Sequence, residues 1–352
     1  MSARLESVFA QATFQHDGHL ADYLISHSND LTLLYFQTRF GTGRHFLRRY
    51  QKGELVEERA FACPHGILSY YLQMLLVWTR ELRWYCRGRR QVLAVFNHPL
   101  LAVGCTLRRN VRTLFWQWDY FPDGVFVSRL FNAVARHFAK RVDCYRPLTR
   151  SIGEVMGRPD APVMRLGMTV PERFGDSRSS RLLMVGQLRP GQGVEAVLDF
   201  LAAHCEYSLS LFGRAVPGYA ETIRRHLKDL QLEERVDFPD RVVSEEDLRA
   251  VAATCFAALA LYDTGKDNLT NYADPGKVKS AIEMGLPVVM TRISETVEFV
   301  ERFRAGEVID ALDELPAAIA RIRADPQTYF KGCRTFAEHF SAEKVYSAGI
   351  LI

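Results

Sequence analysis

From residue 182 to residue 290, short apolar runs alternate with amphipathic segments of helical period. That alternation restricts the segment to a parallel sheet flanked by helices. The apolar runs are 182–185, 208–212, 236–238, 257–262 and 287–290, with helical segments at 193–204, 217–230, 245–253 and from 274 onward. Strand–helix–strand connections have one preferred hand, so the order predicts a doubly wound sheet. Further helices are expected at 294–303, 312–324 and 326–340.

The first half reads differently. Runs 31–36, 45–50 and 55–61 are strand-like, and the turn Gln51-Lys52-Gly53-Glu54 makes the last two an antiparallel hairpin. A long amphipathic helix over 66–87 leads to a buried strand at 91–96 that closes in Asn97-His98-Pro99. Then follow a helix near 100–108, a strand at 111–116, the turn Gln117-Trp118-Asp119-Tyr120-Phe121-Pro122, a helix at 127–140, a strand at 141–145, a helix at 147–156 and a last strand at 163–168. Gly41 and Gly43 have the wrong spacing for a phosphate loop. In open α/β sheets ligands gather at strand carboxyl ends, where both His98 and Asp119 fall. At 352 residues the chain is too long for one core, and the Pro- and Gly-bearing linker 169–180 divides it. The expected domains are 1–170, 171–325 and a C-terminal helical segment 326–352.

The stretch most suggestive of chemistry is Tyr272-Ala273-Asp274-Pro275-Gly276-Lys277-Val278-Lys279-Ser280, ending at Gly285 before a short apolar strand. Asp274 is suited to N-cap a helix, Pro275 to its first turn and Gly285 to its end. A helix start with no side chain at Gly276 leaves backbone N–H groups and a partial positive charge facing outward, and Lys277 adds a full charge. The combination suits a diphosphate, both to hold a nucleotide-sugar and to stabilise the departing nucleoside diphosphate. An ordinary turn with a solvated lysine has the same signature.

Composition excludes little. The net charge is +4, with 48% hydrophobic residues. Arg80, Arg83, Arg87, Arg89 and Arg90 interleave with Trp78, Trp84 and Tyr85, and Arg108, Arg109 and Arg112 follow. This 78–90 region is either a peripheral contact with an anionic membrane surface or a helix whose aromatics pack inward. No nucleic-acid motif accompanies it. Seven dispersed cysteines without CxxC spacing fit reduced thiols and a cytoplasmic setting, and no run could span a bilayer. The ten histidines lack metal-ligand spacing, and Asp263 and Asp267 near Lys266 are too loosely spaced to argue for Mg²⁺.

Four pieces in order resemble GT-B glycosyltransferases: the turn Gly186-Gln187-Leu188-Arg189-Pro190-Gly191-Gln192-Gly193 after a strand, Leu211-Phe212-Gly213-Arg214, Arg235-Val236-Asp237-Phe238-Pro239-Asp240, and the 274–290 unit. The Asp119-Tyr120-Phe121-Pro122 turn and the Asp274-Pro275-Gly276-Lys277 motif resemble bacterial enzymes of surface-glycan assembly. The resemblance implies two Rossmann-like domains facing across a cleft, with a C-terminal helix crossing back to the first domain. It implies metal-independent transfer of a sugar from a nucleotide diphosphate sugar to a glycan or lipid-linked acceptor, with no cofactor. Where retaining relatives carry two glutamates separated by seven residues, this chain has Tyr272 and Ser280; Gln187 and Gln192 replace basic residues of the first turn, and Trp118 replaces a histidine.

The candidate catalytic residues are Asp119, His98 and Lys277. Asp119 is either a base among aromatics or a turn cap before Pro122; His98 is either a base or a satisfied structural histidine. The donor-binding candidates are Gly186, Gln187, Arg189, Gly213, Arg214, Phe238, Tyr262, Asp274, Pro275, Gly276, Lys277 and Ser280, with capping as the expected role of Asp274. Asp263, Asn268 and Asn271 are loop residues able to bond sugar hydroxyls. Two other readings are a catalytically weakened sugar-nucleotide-binding or partner protein, and a dinucleotide oxidoreductase, for which no GxGxxG is present.

Overall fold

The structure is a computed structural model that describes residues 4–12, 19–36, 44–62, 66–106, 108–122, 126–262 and 269–350. Gly41, Gly43, Cys63, Asp263, Lys266, Asp267 and Asn268 lie outside the described residues. Two compact units are formed, the first by residues 1–167 with 342–352 and the second by residues 168–341.

The first unit runs β1 (Leu5–Ala12), α1 (Leu20–His27), β2 (Ser28–Tyr35), β3 (Arg44–Gln51), β4 (Glu54–Ala62), α2 (Ile67–Tyr85), β5 (Val92–Phe96), α3 (Leu101–Thr106), β6 (Val111–Gln117), α4 (Phe126–Ala139), β7 (Cys144–Pro147) and α5 (Arg150–Val155). Its sheet has the order β4-β3-β2-β1-β5-β6-β7. The hairpin is present, with Lys52 and Gly53 both at positive φ as a tight turn between antiparallel β3 and β4 requires. From β2 to β7 through β1 the pairing is parallel. The central strand β1, absent from the sequence reading, has Phe9 packed on α2, with Trp78 at 4.8 Å and Tyr85 at 5.5 Å. Both α2 aromatics are thus core residues, and Arg89 is held by Asp30 and lies over the Tyr85 ring. Segment 163–168 is not a strand: it is tied by single bonds, such as Trp116 Nε1 donating to the Met164 carbonyl at 2.5 Å, and enters one isolated bridge, at Met168.

The second unit runs β8 (Arg181–Val185), α6 (Val194–Ala203), β9 (Ser208–Phe212), α7 (Tyr219–Asp229), β10 (Val236–Asp237), α8 (Glu245–Ala252), β11 (Ala257–Ala260), α9 (Leu269–Tyr272), α10 (Gly276–Glu283), β12 (Val288–Thr291), α11 (Thr296–Phe303), β13 (Gly306–Ile309), α12 (Leu315–Ala324) and α13 (Pro326–His339). All six strands are parallel, in the order β10-β9-β8-β11-β12-β13. This is the doubly wound order the alternation predicts, with β13 added at the edge. Arg235 stabilises the end of α6, donating to the carbonyls of Leu201, His204 and Tyr207. Gly285 ends α10 at φ 75°, where a Cβ would lie 2.1 Å from the Arg173 carbonyl oxygen.

The last helix, α14 (Ala342–Ile350), belongs to the first unit. Tyr346 Oη accepts from the Gly167 amide at 2.9 Å and Arg146 donates to the Gly349 carbonyl at 3.0 Å. Segment 326–352 therefore divides: α13 packs in the second unit, and only α14 lies in the first.

Candidate functional site

In each unit the sheet reverses its direction of growth once, and the crevice at the carboxyl ends of the two strands flanking that reversal is where an α/β sheet takes a ligand. In the second unit those strands are β8 and β11. The turns after β8 and β9 carry Gly186 at φ 135° and Gly213 at φ 138°. They meet back to back, since a Cβ on Gly213 would fall 1.8 Å from the Gly186 carbonyl oxygen. Asp240 fixes the second turn by accepting from the Ala215 amide at 2.9 Å, while Leu188 and Arg214–Val216 exchange backbone bonds.

Lys277 lies over the first turn. A Cβ on Gly186 would be 2.3 Å from its Cε, its Nζ donates to the buried Gln192 Oε1 at 2.7 Å, and the Tyr262 ring is 5.3 Å away. Burial first, and then the Arg189 guanidinium, pull this ammonium down to about 8. Burial pushes the Tyr262 hydroxyl well above its ordinary value. Among the described residues no carboxylate pairs with Lys277. The contrast with Lys279, on the same helix, is informative. Lys279 Nζ is buried 2.7 Å from Asp274 Oδ2, and Thr296 Oγ1 donates to Asp274 Oδ1 at 3.0 Å. One lysine is neutralised as part of the frame, whereas the other is left charged beside a neutral amide.

This corrects the capping role expected of Asp274. Its carboxylate is 1% exposed in the ion pair with Lys279, and the N-cap of α10 is Pro275, whose carbonyl accepts the first helical bonds from Val278 and Lys279. The amides of Gly276 and Lys277 are thus helix-start donors, and the space where a Gly276 side chain would be is open. Gln187, Arg189 and Arg214 are exposed around the glycine turns. Phe238 is half-buried beyond β10 with the Arg224 guanidinium 5.5 Å from its ring, and Ser280 is exposed. Tyr262 is held by its amide, which donates to Thr291 Oγ1 at 2.9 Å.

In the first unit the strands flanking the reversal are β1 and β5. Gln11 at the end of β1 accepts from the amides of Asn97 and His98 at 3.0 and 3.2 Å, which fixes the turn after β5. The His98 ring stacks on Tyr71 of α2 at 5.1 Å and meets the edge of Phe131 of α4 at 5.3 Å. Burial pushes its imidazole down to about 4, so it is neutral at ordinary pH. Nδ1 accepts from the Leu100 amide at 3.4 Å, which leaves the proton on Nε2. That atom is buried and has no partner among the described residues. His98 is therefore neutral, with its ring proton placed on Nε2 as a hydrogen-bond donor.

Asp119 follows β6. Its turn is held by neighbours: Gln117 Nε2 donates to the Asp119 carbonyl at 2.9 Å, Tyr145 Oη to Gln117 Oε1 at 2.7 Å, and buried Asn132 brackets the Phe121 backbone. Among the described residues the Asp119 carboxylate caps nothing. Surrounding protein pulls it up to about 6, although the side chain is open to water, which screens part of that pull. Trp118 packs edge-on against Trp116 at 5.0 Å, and its buried Nε1 has no partner among the described residues. Among the described residues no group of three or more His, Cys, Asp or Glu is placed to hold a metal ion.

The sequence reading missed Gln11, Tyr71, Phe131, Asn132, Asp240, Lys279 and Thr296 as parts of these sites. Asp240 and Lys279 sat in noted motifs without being assigned a part; the others are ordinary helix and strand residues.

Comparison with known proteins bears on both units. The Anabaena protein HepE, solved in complex with UDP-glucose, superposes with a TM-score of 0.69 at 15% identity, covering 99% of each chain. Sucrose-phosphate synthase from Thermosynechococcus elongatus gives 0.67 at 14%, covering 96% of each. The lipopolysaccharide outer core galactosyltransferase WaaB gives 0.65 at 14%, covering 99% of each. A comparison with curated proteins finds no match. Nothing in these likenesses supports the oxidoreductase reading. Residues 179–325 match the family described as glycosyl transferases group 1, so the chain has the GT-B fold and its second unit carries a glycosyl transferases group 1 domain.

Proposed function

We propose that this chain is a glycosyltransferase that moves a sugar from a nucleotide diphosphate sugar to a glycan or lipid-linked glycan acceptor, without a metal or cofactor, in the cytoplasm and at a membrane face, in polysaccharide biosynthesis. The observation that carries the reading is Lys277: a half-buried ammonium at the β8/β11 reversal, beside glycine turns that admit a backbone-close ligand and with no carboxylate among the described residues to neutralise it. Desolvated cationic groups stabilise charge that develops as a bond breaks far better than the same groups in water.

In this reading the diphosphate oxygens accept from Lys277 Nζ and from the amides of Gly276 and Lys277, with Arg189 adding charge at the turn. Gly186 and Gly213 give the close approach. Tyr262 and Asn271 supply polar groups for the sugar. Phe238, Gln187, Arg214 and Ser280 have weaker support as donor contacts, and Asp274 acts only through the frame. In the first unit Asp119, pulled toward neutral pH, takes the proton of the acceptor hydroxyl, and His98 Nε2 donates to an acceptor oxygen. As the carbon–oxygen bond to the diphosphate breaks, its electron pair passes to the phosphate oxygen held at Lys277, and the acceptor oxygen forms the new bond to the sugar.

A thermal-shift panel of UDP-, GDP- and ADP-compounds and NAD, followed by a nucleoside-diphosphate release assay, tests this. HepE was captured with UDP-glucose, which makes UDP the first compound to try. The expected result is stabilisation by one nucleoside diphosphate, lost in Lys277→Ala, with release that depends on an acceptor and persists in EDTA. Stabilisation by NAD alone would overturn the reading. Binding without release under any acceptor would leave the weakened, sugar-nucleotide-binding protein, the reading motivated by Tyr272 and Ser280.

A further inference from the structure

The exposed residues described in α2 fall at Leu68, Leu72, Leu76, Arg80, Arg83 and Trp84, a stripe of helical spacing that is apolar in its first half and carries the cations in its second, with Arg87 exposed in the turn that follows. Leu68 is 84% exposed, and Phe126 at the start of α4 is 79% exposed with Val127 and Leu130 beside it. Soluble surfaces seldom gather this much bare aliphatic and aromatic side chain in one place. The helices that carry these residues meet at His98, whose ring touches both Tyr71 of α2 and Phe131 of α4.

Charge selects the occupant. Residues 66–142 hold twelve Arg and Lys (Arg80, Arg83, Arg87, Arg89, Arg90, Arg108, Arg109, Arg112, Arg129, Arg136, Lys140, Arg141) against three acids, Glu81, Asp119 and Asp123. The rest of the chain is net acidic. Glu81 is 5% exposed and already held by Arg59 and Arg80. A protein partner would need an apolar and strongly acidic face of matching shape, whereas an anionic lipid surface supplies both an apolar interior and negative headgroups without any.

We propose that the N-terminal turns of α2 and α4 dock on an anionic lipid bilayer: Leu68, Leu72, Leu76, Phe126 and Leu130 enter the headgroup boundary, and the outward arginines meet the phosphates. This places the apolar part of the membrane contact ahead of the 78–90 region, whose Trp78 and Tyr85 are core residues and whose exposed arginines supply the charge. The docking face borders His98, so a lipid-borne acceptor would arrive beside the first-unit site. For its use the inference rests on the glycosyl-transfer reading, and for its geometry it does not.

The test is co-sedimentation of the full chain with vesicles of phosphatidylcholine alone or with 40% phosphatidylglycerol, a composition chosen for the assay, at low and high salt. The expected result is partition onto anionic vesicles that weakens with salt, falls at least tenfold in Leu72→Glu/Phe126→Glu, and falls less in Arg83→Glu. Both sites are exposed, and circular dichroism with the thermal midpoint checks the variants' folding. Equal partition of wild type and the double variant overturns the proposal. So does a wild-type dimer that the double variant breaks, because the face would then be an interface between copies. Vesicle binding with no nucleotide-sugar turnover keeps this surface and sinks the enzymatic reading; turnover on a soluble acceptor without vesicle binding does the reverse.

Discussion

The two units place a site at the same topological position and furnish it in opposite ways. At the β8/β11 reversal the walls are glycine turns, the polar content is cationic, and the supporting helix is anchored by a buried ion pair. At the β1/β5 reversal the walls are Tyr71, Phe131 and Trp118, and the prop is the neutral amide of Gln11. The sheet decides where a crevice forms, and the residues at the strand ends decide its chemistry, cationic in one unit and aromatic and neutral in the other.

The comparison breaks most visibly if the charged frame is dispensable. Asp274→Ala leaves the Lys279 ammonium buried without its carboxylate, and loss of one partner of a buried pair costs about 3–5 kcal/mol. Denaturant unfolding of the full chain should show that loss in the transition belonging to the second unit. A change below about 1 kcal/mol would mean that the pair does not hold the helix start.

Next in size is Lys277→Ala. Removal of one preorganised donor to developing charge lowers turnover by about 10²–10³-fold, whereas the fold should be intact or slightly more stable, since Lys277 bears a partly desolvated charge that no carboxylate among the described residues offsets. Nucleoside-diphosphate release alongside thermal melting separates the two. Equal losses of activity and stability would make Lys277 a second Lys279.

The neutral prop should matter less. Gln11→Ala removes the acceptor of two backbone amides, for a cost of about 1–3 kcal/mol read as a shift in the unfolding midpoint of the first unit. Nucleotide affinity should be unchanged, and a change in it would erase the division of labour between the sites.

The smallest effect is on pH. The Lys277 ammonium titrates near 8, so nucleoside-diphosphate affinity should fall by up to about tenfold between pH 7 and pH 9, by isothermal titration. The fall should be absent in Lys277→Ala. For His98 the sign is opposite. Its folded value, about 4, lies below the ordinary 6.5, so the unfolded chain binds more protons between them, and stability is lost as pH falls through that window. His98→Gln should flatten that slope.

The second unit was legible because its grammar is local. Each βα unit carries its own glycine and apolar run, and the Lys277 turn announces itself by Pro275 and Gly276. The exception within that turn is Asp274, whose capping role looked natural from position. Its partner Thr296 is 22 residues away in sequence, and Lys279 and Phe340 complete the environment. A contact of that kind leaves no local trace. The first unit was less legible for the same reason. Its central strand β1 has the polar residues Glu6, Ser7 and Gln11 among its apolar ones, although Val8, Phe9 and Ala10 in its middle are fully buried. The orphaned Nε2 of His98 arises where three elements meet, and no spacing encodes it.

The back-to-back glycines have a consequence for how this site can change over time. A methyl group at Gly213 would strike the Gly186 backbone, not a side chain, so no second substitution can make room by shrinking something. Relatives that diverge at this pair must redraw the paths of two adjacent strands at once, whereas Gln192 or Tyr262 can be exchanged singly. The rim of this crevice is therefore free to change while its glycine floor stays as it is.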